Sequence, residues 1–254
     1  MTEHFQKWVS PTAPFAPWAS RVCDVRTVEL EPRDPRAVSA VRGVMTIVDG
    51  GPLVPFESDL ERRFLALLRF DRRVLRVRAQ PFSLLFTDTA SGSRRRYTPD
   101  FLVQFSESAG LPFKALLVEV KARRDLFRDR RRLRAPLAAA RTWAFQAPDR
   151  AFHVITDKRM ASGAWLRNAE ILSAHLDKRY EPAFLAQCLN LFDSARELQL
   201  RTVLERAEQR NLNHAAVLSG IYHLIARRVL DVELGVPISY ESWLCLNEAA
   251  QQRP

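Results

Sequence analysis

The run YTPDFLVQFSESAGLPFKALLVEVK, Tyr97 to Lys121, reads as two strands joined by a turn. Its first segment, Tyr97–Phe105, and its last, Ala115–Val120, are rich in apolar, β-branched and aromatic residues, whereas Ser106–Pro112 holds the turn formers. Ala115–Val120 is nearly all apolar before it turns charged, the pattern of a strand covered on both faces of a central sheet. A symmetric hairpin centred between Ala109 and Gly110 sets Asp100 opposite Glu119, with Cβ atoms about 5 Å apart. Lys121, two residues beyond Glu119, projects from the same face.

Two carboxylates held this close repel unless a cation lies between them, so the pair favours a hard, oxygen-seeking ion such as Mg²⁺. Such an ion polarises a phosphate and lowers the pKa of a bound water. Lys121 would then orient or deprotonate that water, or offset charge that builds on the phosphate. On an exposed edge a Glu-x-Lys pair is ordinarily a solvated ion pair. Here Leu116, Leu117, Val118 and Val120 place Glu119 at the end of a buried strand, where a carboxylate needs a partner or an ion.

Outward from the hairpin, Glu57–Phe70 reads as a helix whose apolar stripe is Leu60, Phe64, Leu67 and Leu68. Glu57 falls inside that stripe and Glu61 at its edge, so either places a third acid toward the sheet. Each also has a structural use. Ser58-Asp-Leu-Glu61 is a capping box, and Glu57 gains from the helix dipole; geometry alone leaves the choice open. Val74–Ala79 and Phe82–Thr87 read as strands. Arg130–Phe145 reads as a helix that Pro136 must kink or begin, Ala151–Thr156 as a buried strand, and Ala161–Asp177 as a helix. This order predicts an α/β domain with a mixed sheet flanked by helices over residues 51–180. Residues 1–50, with Pro11, Pro14, Pro17, Pro32 and Pro35, read as an irregular arm with a short strand at Val25–Leu30. Within 181–254, helices at Pro182–Phe192, Leu198–Gln209 and Ala215–Arg228 precede a hairpin of Val229–Leu234 with Ile238–Ser239, suggesting a C-terminal winged-helix domain.

Composition is that of a soluble globular protein, with 47% hydrophobic and 27% charged residues. Lys and Arg number 39 against 29 Asp and Glu, a net +10 that suits a polyanionic partner such as nucleic acid. Cys23, Cys188 and Cys245 have neither metal-ligand spacing nor pairing, which points to reduced thiols in a cytoplasm. The start, Met-Thr-Glu-His-Phe-Gln-Lys-Trp, lacks a signal-peptide core, and no apolar run reaches membrane-span length. Eight glycines without a phosphate loop argue against an NTPase. The five histidines lack ligand spacing, and His153 reads as a core or surface residue.

Basic residues flank the proposed site. Arg94-Arg95-Arg96 precedes the Asp100 strand, and nine basic residues lie between Lys121 and Arg141, among them Arg123, Arg124, Arg130, Arg131 and Arg132. Their density suits a DNA backbone track. Asp157-Lys158 reads as a turn or a second DNA contact, and Trp143 and Trp165 as core.

Taken together, Glu57-Ser-Asp-Leu-Glu61, Ala79-Gln80-Pro81-Phe82, Tyr97-Thr-Pro-Asp-Phe101 and Val118-Glu-Val-Lys121 resemble the TnsA endonuclease family over about residues 40–160. These are nuclease subunits of heteromeric bacterial transposases, including those of some CRISPR-associated transposons. The resemblance implies a PD-(D/E)xK restriction-endonuclease-like fold. It implies Mg²⁺, or Mn²⁺ in its place, held by Glu61, Asp100 and Glu119, with Lys121 as the catalytic lysine and Gln80 in the same cleft. Some members carry Gln at the position of Glu119. It further implies nicking of the 5′ strands at transposon ends, beside a TnsB-like DDE transposase and a TnsC-like AAA+ regulator that contacts a C-terminal winged helix. The same residues would also serve a stand-alone restriction-like or repair nuclease, and an inactive DNA-binding assembly module is the non-enzymatic alternative.

Overall fold

A computed structural model describes residues 19–30, 43–48 and 50–247. The chain divides into two compact units, 2–160 and 161–254. The sequence reading sets that division at 180; Trp165–Leu176 instead belongs to the second unit.

The first unit is built on a four-stranded sheet, β4 (Val74–Ala79), β7 (Phe101–Phe105), β8 (Ala115–Val120) and β9 (Arg150–Ile155), in that spatial order. The first two pairings are antiparallel and β8–β9 is parallel, so the sheet is mixed as expected. Because side chains alternate, Phe101 and Val118 face one side of the sheet while Leu102 and Leu117 face the other. On the first side sits helix α1 (Asp59–Arg69), with the Phe64 ring 5.7 Å from that of Phe101. Among helices of the unit, the long one between β8 and β9 (Arg130–Phe145) covers the second side, burying Leu133, Leu137, Ala140 and Trp143 with Leu117 and Phe152. Pro136 lies in the interior of that helix, which continues through it.

A second sheet consists of β1 (Val22–Val28), β5 (Ser83–Asp88) and β6 (Ser93–Tyr97), antiparallel throughout. It joins the same core through Val22, Leu84 and Phe86. Strand β1 extends the short strand expected in the N-terminal segment, and its burial of Val22 makes that stretch part of the domain. Gly43–Thr46 (β2) pairs with Leu53–Phe56 (β3), also within or beside what reads as an arm. The prolines at 11, 14, 17, 32 and 35 lie outside the described residues.

The expected single strand Tyr97–Phe105 is two strands in two sheets. Strand β6 ends at Tyr97 and β7 begins at Phe101. Pro99 has no N–H to continue a ladder, and the Thr98 hydroxyl is 2.7 Å from that of Ser83. The chain thus crosses between sheets immediately before Asp100.

After β8 come α2 (Arg123–Arg128) and α3 (the Arg130–Phe145 helix), and after β9 the short α4 (Asp157–Met160). The second unit holds α5 (Trp165–Leu176), α6 (Pro182–Asn190), β10 (Glu197–Gln199), α7 (Leu200–Gln209), α8 (His214–Ala226), β11 (Leu230–Val232) and β12 (Trp243–Leu246). Its sheet runs β10-β12-β11. The expected hairpin partner at Ile238–Ser239 is not a strand; β12, further along, takes that place, and β10 adds a third strand. The buried Asn168 explains the loop at 234–238: its amide donates to the carbonyls of Leu234 and Val236, and its oxygen accepts from the Ile238 N–H. Among the described residues no helix is long and apolar enough to cross a membrane.

Candidate active site

The β7–β8 register pairs Phe101 with Val118 and Leu102 with Leu117. Continued by one residue, that register sets Asp100 against Glu119, as the symmetric hairpin predicts. The ladder gives way there to a side-chain contact: the Val120 N–H donates to Asp100 Oδ2 at 2.6 Å. The Asp100 carbonyl accepts from the Gln80 N–H at 2.7 Å, so both ends of this residue are tied to neighbouring strands.

Glu119 is buried, with 4% of its surface exposed. Its Oε1 lies 3.1 Å from Lys121 Nζ, and its Oε2 accepts a 2.6 Å hydrogen bond from the Tyr97 hydroxyl. A buried carboxylate is costly unless its oxygens are met, and here both are. Burial pushes the Asp100 carboxyl well above the usual range; the nearby Glu119 and Glu61 charges add to this, and the Val120 N–H and Lys121 pull against it. Burial and Glu119 likewise raise the Tyr97 phenol. For Lys121, burial works to lower the ammonium, but Glu119 and Asp100 outweigh it and the net shift is upward. An ammonium at this position suits orienting a water or countering phosphate charge.

Glu61 closes the capping box expected for it. Its Oε1 accepts from the Ser58 hydroxyl and its Oε2 from the Glu57 N–H, each at 2.8 Å, while its own N–H donates to Ser58 Oγ. Glu57 Oε1 accepts from the Gln80 side-chain amide at 3.0 Å. Gln80 thus sits beside Asp100, in a left-handed conformation with φ of 43°, an uncommon backbone for a residue with a side chain. The electrostatic coupling of Glu61 to Asp100 places the helix start near the pair. Among the described residues, however, no three His, Cys, Asp or Glu side chains converge as a ready ligand set. Each acid is instead engaged by a protein donor.

The arginines separate into two groups. On β6, Arg94 and Arg96 are exposed, while Arg95 turns to Asp88 at 3.2 Å. With Asp24 and Arg26 of β1 they line an open groove of about 450 Å³. Arg123, Arg124, Arg130, Arg131 and Arg132 are all exposed around α2 and the start of α3. Arg132 pairs with Asp129 at 3.4 Å and is close enough to Lys121 to oppose its charge. Asp157, read as a turn or DNA contact, opens α4 and accepts the Arg123 N–H at 2.7 Å. Trp143 is buried in the core as expected, with Arg150 stacked 4.7 Å from its ring.

Sequence reasoning missed two partners. Tyr97 was visible only as a strand residue, because the cross-sheet contact to Glu119 has no local spacing. Arg26 reaches the Arg94–Arg96 groove by strand pairing across more than sixty residues of chain.

A mixed sheet that ends in the Pro99-Asp100 and Glu119-Val-Lys121 pair, with helices on both faces, is the architecture of an endonuclease-like α/β domain. More particularly, residues 71–157 match the family model described as TnsA-like endonuclease N terminal. Over these residues the chain is similar to the N-terminal endonuclease domain of TnsA-like proteins. The matched residues contain Gln80, Asp100, Glu119, Lys121 and the arginines above; Glu57 and Glu61 lie before them. Among curated proteins no relative matches.

Proposed function

We propose that this chain is a divalent-cation-dependent DNA endonuclease that cuts the 5′ strands at transposon ends as one subunit of a cut-and-paste transposase. The observation that carries the reading is the Lys121–Glu119 contact at 3.1 Å, with the partly buried Asp100 bonded to Val120 N–H at the same strand end. Two carboxylates brought to one strand end form a donor set of hard oxygens that suits Mg²⁺ or Mn²⁺. Asp100 and Glu119, joined by Glu61 from the helix start, would hold that ion. When bound it would polarise the scissile phosphate and acidify a water.

The chain's own residues supply the rest. Lys121, kept protonated by Glu119 and Asp100, would fix the attacking water and counter the charge that gathers on phosphorus. Gln80 would keep the Asp100 backbone in place through its 2.7 Å hydrogen bond. The exposed arginines Arg94, Arg96, Arg123, Arg124, Arg130, Arg131 and Arg132 would neutralise the DNA backbone, while Arg95 is turned to Asp88.

In the second unit, the order helix, strand, helix, helix, strand, strand with sheet order β10-β12-β11 supports a winged-helix reading. That unit would meet a TnsC-like AAA+ regulator, and the nuclease would act beside a TnsB-like DDE transposase on the 3′ strands. The test is cleavage of transposon-end DNA by the full chain with its co-expressed transposase, in Mg²⁺, in Mn²⁺ and in chelator. Cleavage of the 5′ strands that chelator abolishes supports the reading; metal-independent cleavage, or none in the complete assembly, contradicts it.

A further inference from the structure

We propose that Tyr97 is a positioning residue for the nuclease, its hydroxyl fixing the rotation of the Glu119 carboxylate so that Oε1 is the oxygen turned toward Lys121 and the reaction. This rests on the metal-nuclease reading above. The geometry is specific. Tyr97 is the last residue of β6, in the sheet that does not contain Glu119, and its ring packs against the core beneath α3. From there the hydroxyl reaches Glu119 Oε2 at 2.6 Å, while Lys121 takes Oε1 at 3.1 Å. The two oxygens of one buried carboxylate are therefore distinguished by donors from two directions.

The phenol suits this task. A tyrosine ring has few rotatable bonds and is locked by its packing, so its hydroxyl is a fixed point and not a mobile donor. A phenol hydroxyl is an ordinary donor to a carboxylate, and here it meets Glu119 Oε2 at 2.6 Å. Pro99 ends the strand directly after this residue, and Asp100 follows. One short segment thereby delivers both the first acid and the clamp on the second, which ties the spacing of the two to the crossing between sheets. Hydrogen-bond partners that orient a metal-binding carboxylate typically change ion affinity or activity by about 10- to 100-fold when removed.

The experiment is Mn²⁺ binding to the full chain, followed by calorimetric titration and by the electron paramagnetic resonance of the bound ion, with thermal unfolding as the control for folding. Wild type, Tyr97→Phe, Tyr97→His and Glu119→Ala are compared. Tyr97→Phe is expected to weaken Mn²⁺ binding about 10- to 100-fold and to alter the resonance of the bound ion, with KM for DNA unchanged. Tyr97→His, which keeps a ring and a donor, is expected to bind more tightly than Tyr97→Phe. Wild-type affinity and resonance in Tyr97→Phe overturn the proposal; should that variant not fold, binding by Tyr97→His as weak as by Glu119→Ala overturns it. If wild type and Glu119→Ala bind Mn²⁺ alike, it is the metal-nuclease reading that fails, and the role of Tyr97 falls with it.

Discussion

Val120 donates its backbone N–H to Asp100 Oδ2 at 2.6 Å, so a side chain stands where the next rung of the β7–β8 ladder would be. The contact holds an acid at the open end of a buried hairpin without letting it pair away in the sheet. Glu119 and Lys121 lie near enough that both charges bear on the ionisation of Asp100.

The helix start separates a structural from a chemical role for its acids. Ser58→Ala removes one cap acceptor and is expected to cost about 1 kcal/mol of stability with cleavage retained. Glu61→Gln keeps one acceptor oxygen, for the Glu57 N–H, and turns its NH2 toward Ser58 Oγ, but loses the charge, so it should abolish cleavage with a modest loss of stability. Glu57→Gln should leave activity in place. Thermal unfolding and cleavage rates measured in parallel decide this; equal activity losses in Glu57→Gln and Glu61→Gln contradict the assignment.

The arginines of β6 should divide by orientation. Arg94→Ala and Arg96→Ala, both exposed, are expected to weaken DNA binding alike on all sequences and to lower the salt slope by about one each. Arg95→Ala should act mainly on stability, by leaving Asp88, a 3.2 Å partner, less well paired. DNA titrations across a range of salt concentrations give the slopes, and unchanged slopes in the first two variants contradict a phosphate track on this strand.

How far the sequence alone could reach is clear at this hairpin. A turn centred between Ala109 and Gly110 is enough to place Asp100 opposite Glu119, because antiparallel partners pair symmetrically about that centre. The break at Pro99 escaped notice, since Tyr97–Phe105 is apolar on both sides of it and only tertiary structure reveals that two sheets are involved. The Tyr97 contact followed from that break and was invisible for the same reason. In the second unit, the helices were legible from their periodicity, whereas β12 was sought too early because the loop at 234–238 is held by Asn168, a residue some seventy positions away.

His153, on β9 beside Val118, predicts a dependence of stability on pH. Burial, with Arg159 and Arg141 nearby, lowers its pKa from 6.5 to about 4, and its buried Nε2 has no hydrogen-bond partner among the described residues. A folded-state pKa below the unfolded value gives stability that is complete above pH 6.5 and is lost as pH falls toward 4. The loss amounts to at most about 3 kcal/mol. Urea unfolding of wild type should therefore lose more stability between pH 7 and pH 4 than that of His153→Gln; parallel pH profiles for the two contradict this.

The central claim is that Asp100 and Lys121 perform cleavage and do not merely hold the fold. Asp100→Asn removes a carboxylate that burial disfavours, so it should leave stability unchanged or raise it; Lys121→Ala takes the donor from Glu119 Oε1 and should lower the unfolding temperature while the chain still folds. The measurement is Mg²⁺-dependent cleavage of strand-labelled transposon-end DNA by each purified variant with the co-expressed transposase. Both variants should fold, Asp100→Asn unfolding at or above the wild-type temperature, and both should yield no 5′-strand product, whereas 5′-strand cleavage at the wild-type rate by either one would contradict the account.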